Sequence, residues 1–376
     1  MGESLNVVIA AGGTAGHINP ALALAEELRD RGHRVTFFGQ TAKLEGTLVP
    51  EAGFDFVPIE VRGFDRSRPW TAVSALVRTK MAERDVAAHF ARAGAPDVAV
   101  GFGAYVEVPL LSWCAAHGVP VILHEQNSVP GLANKMLAPK AATVAVALPQ
   151  AVRTLSDHAG AGTNVVVVGN PVRRSVIEGD GARGRASLGI PDDARVLLVF
   201  GGSLGAASIN DAMVALKDEL LSRPDLHVVH SCGRDGYEAT AERLDLTDEE
   251  AGRWHVVPYI SDMGDMLASA DLVVSRAGAS SIAEIAALAV PSVLVPYPHA
   301  TADHQTTNAQ FLVGAKAAVL VRDDELSGPS FRGLVTGLLD DRSRLDAMRA
   351  AARGLAQDQA AARLADQTEK LGKQGR

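Results

Sequence analysis

The chain has 376 residues, more than one hydrophobic core ordinarily organises, and 47% of them are hydrophobic against 21% charged, the balance of a globular α/β protein of two domains. Its formal net charge of −8 excludes the broad basic field that nucleic-acid binding needs, so no nucleic-acid partner is expected. The two cysteines, Cys114 and Cys232, lie far apart in apolar settings, which excludes a disulfide framework and a cysteine zinc site and points to a reducing cytosol.

No apolar run reaches the length of a bilayer span, and the first residues enter an apolar strand without a basic leader, so neither secretion nor a membrane-spanning segment is expected. That strand, 6–10, runs into Ala11, Gly12, Gly13, Thr14, Ala15, Gly16 and His17, and a helix begins near Asn19 and Pro20. Ala21, Leu24, Ala25 and Leu28 share its apolar face, and Gly32 ends it. Ala11 stands where a dinucleotide-binding G-x-G-x-x-G would open, and the next strand, 34–38, leads to Gly39 and Gln40 with no acid to hold an adenosine ribose. The loop therefore fits a diphosphate or an acceptor phosphate, or serves as a tight turn alone. His17, at its mouth, is a general-base candidate or a capping residue.

Between 62 and 80 five basic residues and one acid alternate with Phe64, Trp70, Val73, Leu76 and Val77. On a net-acidic protein this suits attachment to an anionic membrane face, or equally an amphipathic helix packed on the core. A strand at 97–101, a glycine turn at 101–103, an apolar helix through Trp113 and Cys114 and a strand at 119–123 follow. The last delivers His124, Glu125, Gln126 and Asn127 at its carboxyl end, where Glu125 is a second base candidate or part of a satisfied loop network. A strand at 165–168 is broken by GNPVR at 169–173, and the Gly- and charge-rich stretch beyond reads as a connection, which places the domains at 1–168 and 169–341.

The second half repeats the plan: strand 195–200, glycine loop Gly201, Gly202, Ser203, Leu204, Gly205 and Ala206, helix 209–221. Backbone N–H groups and Ser203 make this loop the better diphosphate cradle of the two. Short strands at 227–231 and 255–257 precede Ile260, whose backbone could pair with a planar base. Then strand 271–275, a small-residue loop, helix 282–288 and strand 292–296 form a βαβ unit. Ser280 and Ser281 place hydroxyls at the helix mouth, and Glu284 follows one turn on, where a carboxylate accepts both hydroxyls of a ribose. In the polar stretch 299–308, His304, Gln305 and Asn308 are suited to sugar hydroxyls. The tail, 342–376, is helical and is expected to pack back on the first domain. The fold expected is two Rossmann-like α/β domains facing a cleft.

GGTAGH at 12–17, HEQN at 124–127, GNPVR at 169–173, GGSLGA at 201–206, SRAGASSIAEI at 275–285 and DHQTTN at 303–308 closely resemble, in order and spacing, the MurG family. That family comprises the UDP-N-acetylglucosamine transferases that act on lipid-linked muramyl-pentapeptide in peptidoglycan synthesis. The resemblance implies the GT-B fold and a donor site on the C-terminal domain, with Ile260 at uracil, Glu284 at the ribose and Ser203, Ala279, Ser280 and Ser281 near the diphosphate. Gln305 would meet the sugar. Thr14, Gly16, Asn127 and Arg173, with Ala15 of the same loop, match positions that approach the donor from across the cleft. The N-terminal domain would take the undecaprenyl-diphosphate acceptor at the cytoplasmic face of the cell membrane, with Trp70, Leu76 and Lys80 toward that surface.

The chain departs from the commonest pattern at Ala15, where glycine is usual, and at His304, where glutamine occurs. Inverting transfer to the muramyl 4-hydroxyl would use His17 or Glu125 as base and needs no cofactor and no metal; no Asp-x-Asp pair occurs. Two other readings remain: a UDP-N-acetylglucosamine 2-epimerase of the same layout, distinguished by a product formed from donor alone, and a non-catalytic nucleotide-sugar binding protein.

Overall fold

The computed structural model describes residues 3–61, 71–202 and 205–374, the side chains of 71–76 excepted. The chain divides into two compact units, Met1–Arg173 with Asp358–Arg376, and Arg174–Gln357.

In the first unit β1 (Asn6–Ala10), β2 (Arg34–Gly39), β3 (Asp55–Pro58), β4 (Val98–Gly101), β5 (Val121–Glu125), β6 (Thr143–Val146) and β7 (Asn164–Val167) form a parallel sheet in the order β3-β2-β1-β4-β5-β6-β7. In the second, β8 (Arg195–Phe200), β9 (Leu226–Ser231), β10 (Trp254–Val257), β11 (Leu272–Ser275), β12 (Ser292–Leu294) and β13 (Ala318–Leu320) lie parallel in the order β10-β9-β8-β11-β12-β13. Both are doubly wound. The winding reverses between β1 and β4 and again between β8 and β11, and a parallel sheet opens its ligand crevice beyond the carboxyl ends of the strands at such a point.

Alternation along β1 shows why the strands read as continuous apolar runs. Val7 and Ile9 enter one core cluster and Val8 and Ala10 another, because helices cover both faces of the sheet. Sequence patterning misses β3, β6 and β13, of four, four and three residues, which are too short to display a period of their own.

The break between units falls after Arg173 rather than at Gly169. Gly169 accepts a hydrogen bond from His124 Nε2 at 2.9 Å, and Arg173 pairs with Glu26 at 2.8 Å, so the GNPVR stretch stays on the first unit. The tail also splits differently from expectation. Leu345 and Met348 of helix Arg342–Arg353 join the second unit's core, and only helix Ala360–Gln374 returns to the first, burying Leu364 and Ala365 in the cluster of Val7 and Ile9.

Charges pin this returning helix. Arg31 reaches Asp366 at 2.7 Å and Glu369 at 3.2 Å, and His33, whose Nδ1 accepts from Leu5 N, donates through Nε2 to Glu369 at 3.2 Å. Burial alone would raise the Glu369 pKa, but hydrogen bonds from His33, Lys373 and Arg31 outweigh it and bring the group down to about 2. A depressed folded-state pKa contributes stability that is present above the unfolded value and lost as the pH falls through the folded one. The stability difference between the wild type and Glu369→Gln should therefore be constant above about pH 5 and shrink between about pH 4.5 and pH 2. Urea unfolding across that range checks it, and a difference that does not change with pH would refute the linkage.

Candidate functional site

At the carboxyl edge of the first sheet, the helix after β1 begins at Ala15, with Thr14 as N-cap, so His17 lies in the first turn of the helix rather than at the end of a longer loop. The helix starts earlier than expected, and Pro20 lies inside it rather than in its first turn. Thr14 Oγ1 engages His17 Nδ1 at 3.1 Å. Gly13 N donates to Glu45 Oε2 at 3.1 Å, and Gln40 N donates to Oε1 of the same fully buried carboxylate at 3.2 Å, which ties the glycine loop to the end of β2. The turn after β4 comes up beside them. A Cβ on Gly103 would stand 3.1 Å from His17 Cδ2 and 3.3 Å from His17 Nε2, so glycine is what lets this turn approach the imidazole.

The HEQN quartet corrects one expectation. β5 runs on to Glu125, so His124 and Glu125 belong to the strand, and both are buried because β5 lies between β4 and β6 with helices on either face. His124 accepts from Gln126 Nε2 at Nδ1, and burial lowers its pKa to about 4 against the raising effect of the Gly169 hydrogen bond, so the ring is neutral. Glu125 Oε1 accepts from Asn127 N at 3.0 Å, while Oε2 accepts from Gly131 N and Asn134 Nδ2, each at 2.9 Å. Its carboxylate is engaged in shaping the 127–134 loop and in presenting Asn127. Arg173 is likewise engaged, through Nε and Nη2, with Glu26 Oε1 on the helix Ala15–Asp30.

At the carboxyl edge of the second sheet, Gly205 has φ +76° and a Cβ there would lie 2.1 Å from the Cys232 carbonyl, so no other residue lets this loop lie against the end of β9. Ser203, like Trp70, falls outside the described residues, as does the side chain of Leu76. The helix after β11 spans Ala279–Ala287, three residues earlier than expected, so Ser280 and Ser281 occupy its first turn and Glu284 lies one turn on from both. Helices Ala15–Asp30, Ala207–Ala215 and Ala279–Ala287 each start at a reversal of winding, and none has an acid in its first turn. No acid of their own first turns opposes an anion at these edges.

Ile260, just past β10, has its side chain buried. Helix His304–Val313 carries the remaining polar candidates. Gln305 Oε1 accepts from Tyr297 N at 2.9 Å, which fixes the amide with its NH2 group as the available donor. His304 bonds the Thr301 carbonyl at 2.9 Å. Asn308 is fully buried with Nδ2 toward the Ala277 carbonyl at 3.4 Å, a contact with the loop after β11.

Sequence reasoning missed Arg276. Directly after β11 and 8% exposed, it bonds the carbonyls of Val295 at 3.3 Å and Pro296 at 3.2 Å, Ser208 Oγ at 2.8 Å and Asp323 at 2.5 Å, and lies over the Tyr297 ring. One guanidinium thereby joins the segments that follow β11, β12 and β13 to the start of helix Ala207–Ala215, which follows β8. The available signal was a lone arginine among small residues at the end of an apolar strand. A separate cavity of about 360 Å³, lined by Arg29, His33, Phe54, His89 and Phe90, opens in the first unit at the amino ends of β1 and β2, the edge of that sheet opposite its glycine loop.

Comparison with known proteins agrees with this layout. Residues 7–146 match the glycosyltransferase family 28 N-terminal domain and 196–368 its C-terminal domain. The chain is 39% identical, over 99% of its length and 100% of the relative's, to the UDP-N-acetylglucosamine--N-acetylmuramyl-(pentapeptide) pyrophosphoryl-undecaprenol N-acetylglucosamine transferase of Desulforudis audaxviator (strain MP104C). The crystal structure of Acinetobacter baumannii MurG superposes with a TM-score of 0.73 at 28% identity, covering 98% of this chain and 100% of that one. The chain belongs to the MurG family of glycosyltransferase family 28. Its two parallel-sheet α/β units are those of the family's GT-B architecture. A putative UDP-N-acetylglucosamine 2-epimerase from Listeria monocytogenes, 16% identical with a TM-score of 0.69, shares the fold alone.

Proposed function

We propose that this chain transfers N-acetylglucosamine from UDP-N-acetylglucosamine to the 4-hydroxyl of undecaprenyl-diphospho-muramyl-pentapeptide, turning lipid I into lipid II in peptidoglycan synthesis. The observation that carries the reading is full-length kinship with a transferase of that name. The second unit takes the donor. Glu284 accepts the ribose hydroxyls, Ile260 meets uracil, Ser203, Ala279, Ser280 and Ser281 meet the diphosphate, and the Gln305 amide donates to the sugar. The first unit takes the acceptor diphosphate, and its Thr14, Ala15, Gly16, Asn127 and Arg173 approach the donor.

In the transfer step the acceptor oxygen forms a bond to the anomeric carbon as the bond from that carbon to the UDP oxygen breaks. Its proton passes to His17, the electron pair leaves with UDP, and configuration inverts to a β-1,4 link. Charge growing on the departing diphosphate meets the positive ends of helices Ala207–Ala215 and Ala279–Ala287. His17 is favoured over Glu125 because the Glu125 oxygens already accept from Asn127, Gly131 and Asn134.

Among the described residues no helix is long and apolar enough to cross a membrane. The acceptor is nevertheless a lipid, and the first unit exposes two apolar pairs at helical spacing, Val77 with Met81 and Leu132 with Met136. Lys80, Lys135 and Lys140 are close by in sequence. These residues seat the enzyme peripherally on the cytoplasmic face of an anionic bilayer.

Purified protein with radiolabelled UDP-N-acetylglucosamine should label a lipid-linked muramyl-pentapeptide, and Met81→Asp should slow transfer to acceptor held in anionic vesicles but not to a short-chain soluble analogue. A manno-configured sugar released from donor alone would overturn the transferase reading. Equal rates for Met81→Asp on both acceptors would overturn the membrane contact.

A further inference from the structure

Glu107, which opens the helix Glu107–Ala116, is fully buried at the carboxyl edge of the first sheet and has no part in the reaction as drawn so far. Its Oε2 accepts from Gly103 N at 2.6 Å, four residues back. That glycine and the next residue, Ala104, both have positive φ, +84° and +70°, a conformation that an alanine adopts only when something holds it there. The turn so held is the one that lies against His17, at the 3.1 Å and 3.3 Å approaches of a would-be Gly103 Cβ. Gln126 Oε1 lies 3.8 Å from the same point, and Gln126 Nε2 bonds the Phe102 carbonyl at 3.1 Å, so the turn is fastened from a second side.

We propose that Glu107 is a positioning residue for His17: it pins the turn at 102–104, and that turn fixes the imidazole in the orientation from which it accepts the acceptor's proton. The inference rests on His17 acting as the base. Thr14 restrains the ring at Nδ1, and the turn restrains it at the Cδ2–Nε2 edge, so loosening either frees one rotation of the side chain. Burial, opposed by the Gly103 hydrogen bond and aided by the charge on Glu125, raises the Glu107 pKa well above the usual carboxylate range. What the turn uses is one carboxyl oxygen, Oε2, accepting one amide N–H. Among the described residues its other oxygen, Oε1, has no partner, and a glutamine reproduces the shape and the acceptor.

This gives a test in which the conservative variant rescues. Glu107→Ala should lower kcat about 10-fold with the donor KM within about twofold, as a misplaced catalytic group does, whereas Glu107→Gln should stay within about twofold of the wild type in both. The His17 ring resonance of the substrate-free protein, followed by NMR, should move in Glu107→Ala and not in Glu107→Gln. Should Glu107→Ala not fold, Gly103→Ala applies the same test by placing a methyl group against the ring, with the same loss of kcat and the same moved resonance.

An unmoved His17 resonance in the alanine variants would overturn the proposal, as would equal losses in Glu107→Ala and Glu107→Gln. If His17→Ala itself proved active, the base assignment would fail, and the NMR arm would still decide whether Glu107 positions the ring.

Discussion

His17→Ala should lower kcat about 10²- to 10⁴-fold, the range for removing a positioned general base, and leave the affinity for UDP within about threefold of the wild type. The split follows from placement. His17 belongs to the first unit, held by Thr14 at Nδ1 and by the Gly103 turn on its other edge, whereas Ile260 and Glu284, assigned to the uracil and the ribose, belong to the second. Glu125→Ala should behave differently, because four donors from three residues of the 127–134 loop lose their acceptor together and the loop loosens. It should lose thermal stability as well as activity. Steady-state kinetics of both variants, with UDP titration by calorimetry and a melting curve, separates the roles. Near-normal kcat in His17→Ala would remove it as the base.

Arg276→Met should destabilise the second unit by about 1–3 kcal/mol, the cost of leaving part-buried acceptors without their donor. Asp323 and Ser208 would lose their shared partner, and the carbonyls of Val295 and Pro296 would lose their donor. Three segments at the carboxyl edge would then lose their tie to helix Ala207–Ala215, so UDP affinity should fall with stability. Glu284→Ala provides the contrast. Its side chain is part-buried on helix Ala279–Ala287, so the loss of stability should be smaller than for Arg276→Met. UDP affinity should still drop about 10- to 100-fold, the worth of hydrogen bonds from two hydroxyls to a carboxylate. Chemical denaturation and UDP titration of the pair check this. Full stability in Arg276→Met would show that the hub does not organise the loops, and unchanged UDP affinity in Glu284→Ala would move the ribose elsewhere.

Much of the architecture was legible because parallel sheets buried on both faces leave a coarse record: apolar runs, glycine loops and amphipathic helices in alternation. The runs at 6–10 and 195–200 are strands to the residue, and each glycine loop opens onto a helix at a reversal of winding. Helix starts were less legible. The first turns of Ala15–Asp30 and Ala279–Ala287 contain glycine, serine and alanine that read as loop, and only the bonding of the chain shows that His17, Ser280 and Ser281 already belong to helices.

By itself, then, the sequence determined two Rossmann-like units and kinship with a glycosyltransferase family, since periodicity and local motifs are properties of neighbouring residues. Tertiary structure alone decided which distant groups the polar side chains meet. Glu125 sits beside His124 in the chain, but its partners are fixed by where the 127–134 loop folds back; Asn308 turns inward to Ala277, thirty-one residues earlier. Arg276 gathers Ser208 and Asp323 from either side of it in sequence, and Glu107 reaches a turn that closes on His17 from ninety residues away. A buried polar group must find its partner wherever the fold brings one within about 3 Å, and no local pattern of residues encodes that meeting.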